Sequence, residues 1–179
     1  MKLLLLGLLL AGVALAEEGA VKTEKATFAA GCFWGVESAF RQVAGVIDTQ
    51  VGYTGGRTVD PTYKEVCTDA TGHAEAIEIT FDPAKVSYRA LIELFFKMHD
   101  STQVNRQGPD VGTQYRSAIF YHSPEQQAAA KAARDALDKS GKYLKPVATQ
   151  ILPAGPFYRA EEYHQRYFEK NGGPACHIF

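Results

Sequence analysis

Three of the 179 residues are cysteines, and the most informative of them is Cys32, in Gly31-Cys32-Phe33-Trp34-Gly35. This pentapeptide lies between a strand-like stretch and a helix-like one. At the opening turn of a helix, unpaired N–H groups and the positive end of the macrodipole favour a thiolate, which is a nucleophile. Phe33 and Trp34 beside it can wall a small apolar pocket. A plainer alternative fits the spacing equally well: Cys32 as a small buried hydrophobe and Trp34 as core.

Glu75 is the second candidate. From His73 onward, alternation places Glu75, Ile77, Ile79 and Phe81 on one face, with Ala74, Ala76, Glu78 and Thr80 on the other. The face with two isoleucines and a phenylalanine is the one expected inside. A carboxyl buried there loses the hydration of its charged form, so its pKa rises and it can hold a proton near neutrality. At a frayed strand end it would instead be ion-paired or wet. A thiolate beside a proton-bearing acid suits a reduction in which oxygen leaves as water.

These groups need elements to hold them. Residues 25–30, 46–53, 73–81, 117–121 and 147–152 read as strands. A helix is predicted over residues 33–43, with Phe33, Val36, Phe40 and Val43 on one face. Ser87 caps a second helix running to about His99, with Tyr88, Leu91, Ile92 and Phe95 on its apolar side. Ser123-Pro124-Glu125-Gln126 reads as a capping box opening a third helix to about Lys139, and residues 159–170 as a last one. The order β-α-β-β-α-β-α-β-α predicts an α+β fold, a two-layer sandwich of helices on a mixed β-sheet. Strand order does not follow from it. Asp60-Pro61-Thr62-Tyr63 and the stretch from Asn105 through Asp110 to Tyr115 and Arg116 have neither period and read as loops. Tyrosine hydroxyls there can donate to a substrate oxygen.

Composition narrows the classes. A net charge of −1, 46% hydrophobic and 22% charged residues describe an ordinary globular chain with no basic footprint for nucleic acid. No Cys-x-x-Cys or His-x-x-x-His pair suggests a zinc site. Residues 1–16 carry Lys2, an apolar run from Leu3 to Val13 and the small-x-small Ala14-Leu15-Ala16, the pattern of a secretory signal. The run is too short for a bilayer of about 30 Å. The expected organisation is therefore a signal at 1–16 and one catalytic domain over 17–179, exported to the periplasm or secreted, or anchored if the signal stays uncleaved. In an oxidising compartment each thiol must be paired or kept reduced.

The motifs, taken in order, resemble those of the type-A peptide methionine sulfoxide reductases. Gly31-Cys32-Phe33-Trp34-Gly35 is similar to that family's catalytic signature. Gly52-Tyr53-Thr54-Gly55-Gly56, Pro61-Thr62-Tyr63, Thr71-Gly72-His73-Ala74-Glu75 and Gly112-Thr113-Gln114-Tyr115-Arg116-Ser117 are similar to further family blocks. The resemblance implies a ferredoxin-like sandwich that reduces methionine S-sulfoxide, free or in oxidised proteins and peptides. By position it makes Cys32 the nucleophile, Glu75 the acid, and Tyr63 and Tyr115 the hydroxyls that hold the sulfoxide oxygen. Phe33 and Trp34 become the methyl pocket, and Asp110 and His164 polar neighbours of the substrate. A sulfenic acid on Cys32 would condense with Cys176, in the Gly/Pro-rich tail, to a disulfide that an external thioredoxin-like dithiol reduces. The chain ends three residues beyond Cys176, so the second recycling cysteine of longer family tails is missing and a one-disulfide cycle is expected. No bound cofactor or metal is implied, and a monomer is expected.

Cys67 has no assigned role and is expected to be buried, His99 and His122 to be structural, and His177 to be exposed. Two other readings compete: a Cys-His hydrolase using Cys32 with His73 or His164 as base, and a non-enzymatic binding domain.

Overall fold

The computed structural model of the protein describes residues 22–172. The first half of the chain forms β1 (Glu24–Ala30), α1 (Phe33–Arg41), β2 (Val46–Thr54), α2 (Tyr63–Val66), β3 (Ala74–Phe81) and α3 (Tyr88–Lys97). Next come a short hairpin of β4 (Arg106–Gln107) and β5 (Asp110–Val111), a 3-10 turn at Thr113–Tyr115, and β6 (Ser117–Tyr121). The chain continues through α4 (Pro124–Lys139), β7 (Gln150–Pro153), β8 (Phe157–Arg159) and α5 (Tyr167–Asn171).

Six strands pair in the order β7-β6-β1-β3-β2-β8; β6 and β7 are parallel and every other pair is antiparallel. The sheet is mixed and the fold α+β. Alternation decides its two faces. Ala26, Phe28, Ile77, Ile79 and Phe81 join Val36 and Phe40 of α1, Leu91, Ile92 and Phe95 of α3 and Ala130 of α4 in the main core. Phe28 is its centre, stacked on Phe40 at 5.3 Å and Phe95 at 5.2 Å between ring centroids. Burying one such ring contributes about 1.5–3 kcal/mol. The opposite face carries small residues, Ala29, Ala74, Ala76 and Ala118, with Phe120, under Leu152 and Phe157.

Because β1 and β2 both pair antiparallel with β3, they finish at the end of the sheet where β3 begins. β6, antiparallel to β1, also begins there. Cys32, Tyr53, Glu75 and Tyr115 are thus delivered to one rim from four elements.

Four segments depart from the expectations, the first being the stretch from Asn105 to Arg116, which is expected as a loop and holds the β4–β5 hairpin and the 3-10 turn. Thr62 caps α2 where a loop is expected: its hydroxyl accepts Glu65 N–H while Glu65 accepts Thr62 N–H, a reciprocal capping box. At α4 only half of the box forms. Ser123 accepts Gln126 N–H, but the Gln126 amide oxygen takes His122 N–H, one residue early. The helix predicted over residues 159–170 is mostly absent. Arg159 ends β8, residues 162–166 are turn, and only Tyr167–Asn171 is helical. The reason is side-chain competition for backbone. Buried Gln165 receives Val51 N–H at 3.0 Å and donates to Val51 and Ala160 carbonyls at 2.9 and 2.8 Å, prolonging the β2 edge as a strand would. Glu37 of α1 accepts Arg166 N–H at 2.7 Å, where Arg166 is left-handed with φ 54°. The segment has too little apolar surface for a helix to outweigh those bonds.

Candidate active site

Cys32 is the N-cap of α1, half-buried rather than enclosed. Its placement depends on Gly31, whose φ of +94° is costly for other residues and where a Cβ would meet Gln107 Cβ at 2.7 Å. The first amide of the helix, Phe33 N–H, donates to Glu75 Oε2 at 3.1 Å. The acid therefore sits against the residue next to the thiol. Glu75 lies inside β3 and is only 2% exposed, not at a frayed end. Burial raises its pKa to about 8; the Asp110 charge adds to the rise and Phe33 N–H opposes it. At neutral pH it is a protonated carboxyl with one oxygen already engaged.

Two phenols flank it. Tyr63 opens α2, and burial, a hydrogen bond with the Cys67 thiol, and the Cys67 and Glu75 charges all push its pKa up. Burial does the same for Tyr115, reinforced by Glu75, Asp110, Cys67 and Cys32. Both hydroxyls remain donors across the physiological range. Cys67, expected to be buried, is exposed at the C-cap of α2 within reach of Tyr63, because its neighbour Val66 takes the inward position of that turn.

Phe33, Trp34, Tyr63 and His164 form the apolar side. His164 is 1% exposed, with ring centroids 5.0 Å from Phe33 and 4.5 Å from Tyr63. Trp34 Nε1–H donates to His164 Nδ1 at 2.9 Å, which assigns the imidazole proton to Nε2. Burial lowers the pKa of His164 and keeps it neutral. Tyr167 stacks on the Trp34 indole at 3.7 Å and 6°.

Those tautomers bear on the hydrolase alternative. His73 accepts Gly56 N–H at Nδ1 and donates from Nε2 to the Thr58 carbonyl. His164 has its one lone pair occupied by Trp34. Neither ring offers Cys32 a basic nitrogen. His99 and His122 fit structural roles: His99, bonded to the Phe95 carbonyl and Ser117, is lowered to about 4 by burial, and His122 bonds Thr27.

The structure thus brings together Cys32, Glu75, Tyr63, Tyr115, Asp110, Phe33, Trp34 and His164. Cys176 and His177 lie outside the described residues. Among the described residues no three His, Cys, Asp or Glu side chains group as metal ligands, and no helix is long and apolar enough to cross a membrane. Tyr53 lies in one of the family blocks but has no role assigned from the sequence, and Glu161 and Tyr167 lie outside every motif. The available signal was local: Tyr158, Tyr163, His164 and Tyr167 crowd an otherwise polar stretch.

Over most of its length the chain is similar to known proteins. The peptide methionine sulfoxide reductase MsrA of Methanoculleus marisnigri is 61% identical over 153 residues, spanning 86% of this chain and 93% of its own. Mxr1 from Saccharomyces cerevisiae in reduced form superposes with a TM-score of 0.81 at 38% identity, over 88% of this chain and 91% of that one. A structure of Mxr1 in complex with Trx2 superposes at 0.60 with 25% identity, over 92% and 94% of the two chains. The family profile named peptide methionine sulfoxide reductase matches residues 24–179. With that match and a relative at this identity, the chain belongs to the peptide methionine sulfoxide reductase family.

Proposed function

We propose that this protein reduces methionine S-sulfoxide, free or in oxidised proteins and peptides, to methionine at the expense of an external thioredoxin-like dithiol. One observation carries the reading: Phe33 N–H, adjacent to the N-capping Cys32, holds the buried Glu75 carboxyl at 3.1 Å. The Cys32 thiolate attacks the sulfoxide sulfur. Glu75 gives its proton to the oxygen, and the Tyr63 and Tyr115 hydroxyls donate hydrogen bonds to it as charge develops. Phe33 and Trp34 pack the S-methyl group, with Asp110 and His164 at the pocket edge.

Methionine leaves with the sulfur's electron pair restored, and Cys32 carries the oxygen as a sulfenic acid. Cys176 condenses with it, releasing water and forming the Cys32–Cys176 disulfide. The dithiol donor reduces that bond and is itself oxidised. Mxr1, a relative, has been seen in complex with Trx2, which supports a donor of this class. The reaction needs no bound cofactor or metal.

The reading extends to organisation. The strands β6-β1-β3-β2, joined β-α-β-β-α-β through α1 and α3, favour a ferredoxin-like description with β7 and β8 added at the edges. Residues 1–16 act as an export signal ahead of a monomeric domain, and N-terminal sequencing of the exported protein tests the cleavage.

Turnover on resolved methionine sulfoxide epimers tests the chemistry. Wild type should reduce the S epimer, with Cys32→Ser inactive and Glu75→Gln slowed by about a hundredfold or more. Cys176→Ser should release one methionine per chain and then stall with a thioredoxin-type donor. Activity in Cys32→Ser would end the proposal.

A further inference from the structure

The β2–β3 register sets Tyr53 directly opposite Glu75, and opposed residues of an antiparallel pair share a face. Tyr53 is fully buried, with its ring 6.0 Å from Phe33, so it is part of the dry wall around the acid. Its hydroxyl donates elsewhere, to Glu161 Oε2 at 2.8 Å. The other Glu161 oxygen accepts Tyr63 N–H, also at 2.8 Å, the first amide of α2 and one no helical carbonyl can satisfy. Partial burial disfavours the Glu161 charge, but the backbone N–H and Tyr53 hydroxyl donors outweigh it and hold its pKa below the usual carboxylate range.

We propose that Glu161 is a positioning residue for the Glu75 acid: it draws the Tyr53 hydroxyl away from the carboxyl beside that ring and fixes the start of α2 under Tyr63. A phenol donating to Glu75 would favour its ionised form and strip it of its proton at working pH. The other groups facing Glu75 are Phe33 N–H at the start of α1, Asp110 from β5, Tyr115 from the 3-10 turn, and Tyr63 and Cys67 from α2. The inference rests on Glu75 being the proton donor.

The test is the pH profile of single-turnover methionine release by the full chain at subsaturating S-sulfoxide. Wild type should lose rate along an alkaline limb near pH 8, as Glu75 gives up its proton. Glu161→Ala should move that limb down by about one pH unit, because Tyr53 turns to Glu75. Adding Tyr53→Phe to Glu161→Ala should return the limb to its wild-type position. An unmoved limb in Glu161→Ala, or an equal shift in the double variant, overturns the proposal. Glu161→Gln, with one acceptor oxygen for two donors, runs the same test if the alanine variant does not fold. Glu75→Gln should abolish the limb; a limb that survives there overturns the reading of the acid rather than the role of Glu161.

Discussion

The helix-backed face of the sheet and its rim bury their groups by opposite means. Around Phe28 the contacts are aromatic and aliphatic, from α1 and α3, and such a site tolerates apolar side chains of similar volume. At the rim, Glu37, His73, Glu75, His164 and Gln165 are all buried, each bonded to particular donors or acceptors. A buried polar group that loses its partner keeps its desolvation cost, so these bonds specify the rim, although His164 Nε2 is buried with no hydrogen-bond partner among the described residues. The packed face supplies stability, and the rim uses some of it to hold a carboxyl in a protonation state that water would not allow.

The largest expected effect lies on the packed face. Phe28→Ala should cost about 3–5 kcal/mol in denaturant melts, since it removes the ring on which Phe40 and Phe95 stack. The rim should answer in the reverse direction. Glu75 has a pKa of about 8 in the fold, against 4.5 for an ordinary glutamate. Below the lower value it is protonated folded or unfolded and costs nothing. As pH rises toward the folded value the unfolded chain gains by ionising, so the cost grows and then levels. Glu75→Gln should therefore be more stable than wild type by about 2–4 kcal/mol at pH 8 and equal to it near pH 4. A variant that is no more stable at pH 8 would erase the contrast between the regions.

Gly31→Ala comes next: the strained φ and the Gln107 contact should displace Cys32 and lower kcat/KM about a hundredfold. The smallest effect is expected for Tyr167→Ala. Losing the stack on Trp34 should raise KM for sulfoxide about fivefold with kcat nearly unchanged.

The contrast also explains what could be read without coordinates. α1 and α3 were legible because their apolar residues recur with the helical period, and α4 because Ser123 and Pro124 open it. The face of Glu75 followed from Ile77, Ile79 and Phe81, whereas β1 is buried on both faces from Ala26 to Ala30 and shows no alternation. The α2 cap was present as Thr62-x-x-Glu65 but hidden by its brevity after Pro61. The segment after β8 was not legible. Its shape is set by Gln165 bonding Val51 and Glu37 bonding Arg166, contacts 114 and 129 positions apart in the chain that leave no local period.

The chain has a single tryptophan, and it stands in the pocket wall, pinned by His164 and layered on Tyr167. Indole fluorescence from this protein consequently originates at one known spot, two residues from Cys32. Any event that changes the surroundings of that indole should therefore change the emission of the unlabelled protein, with no reporter dye to disturb it.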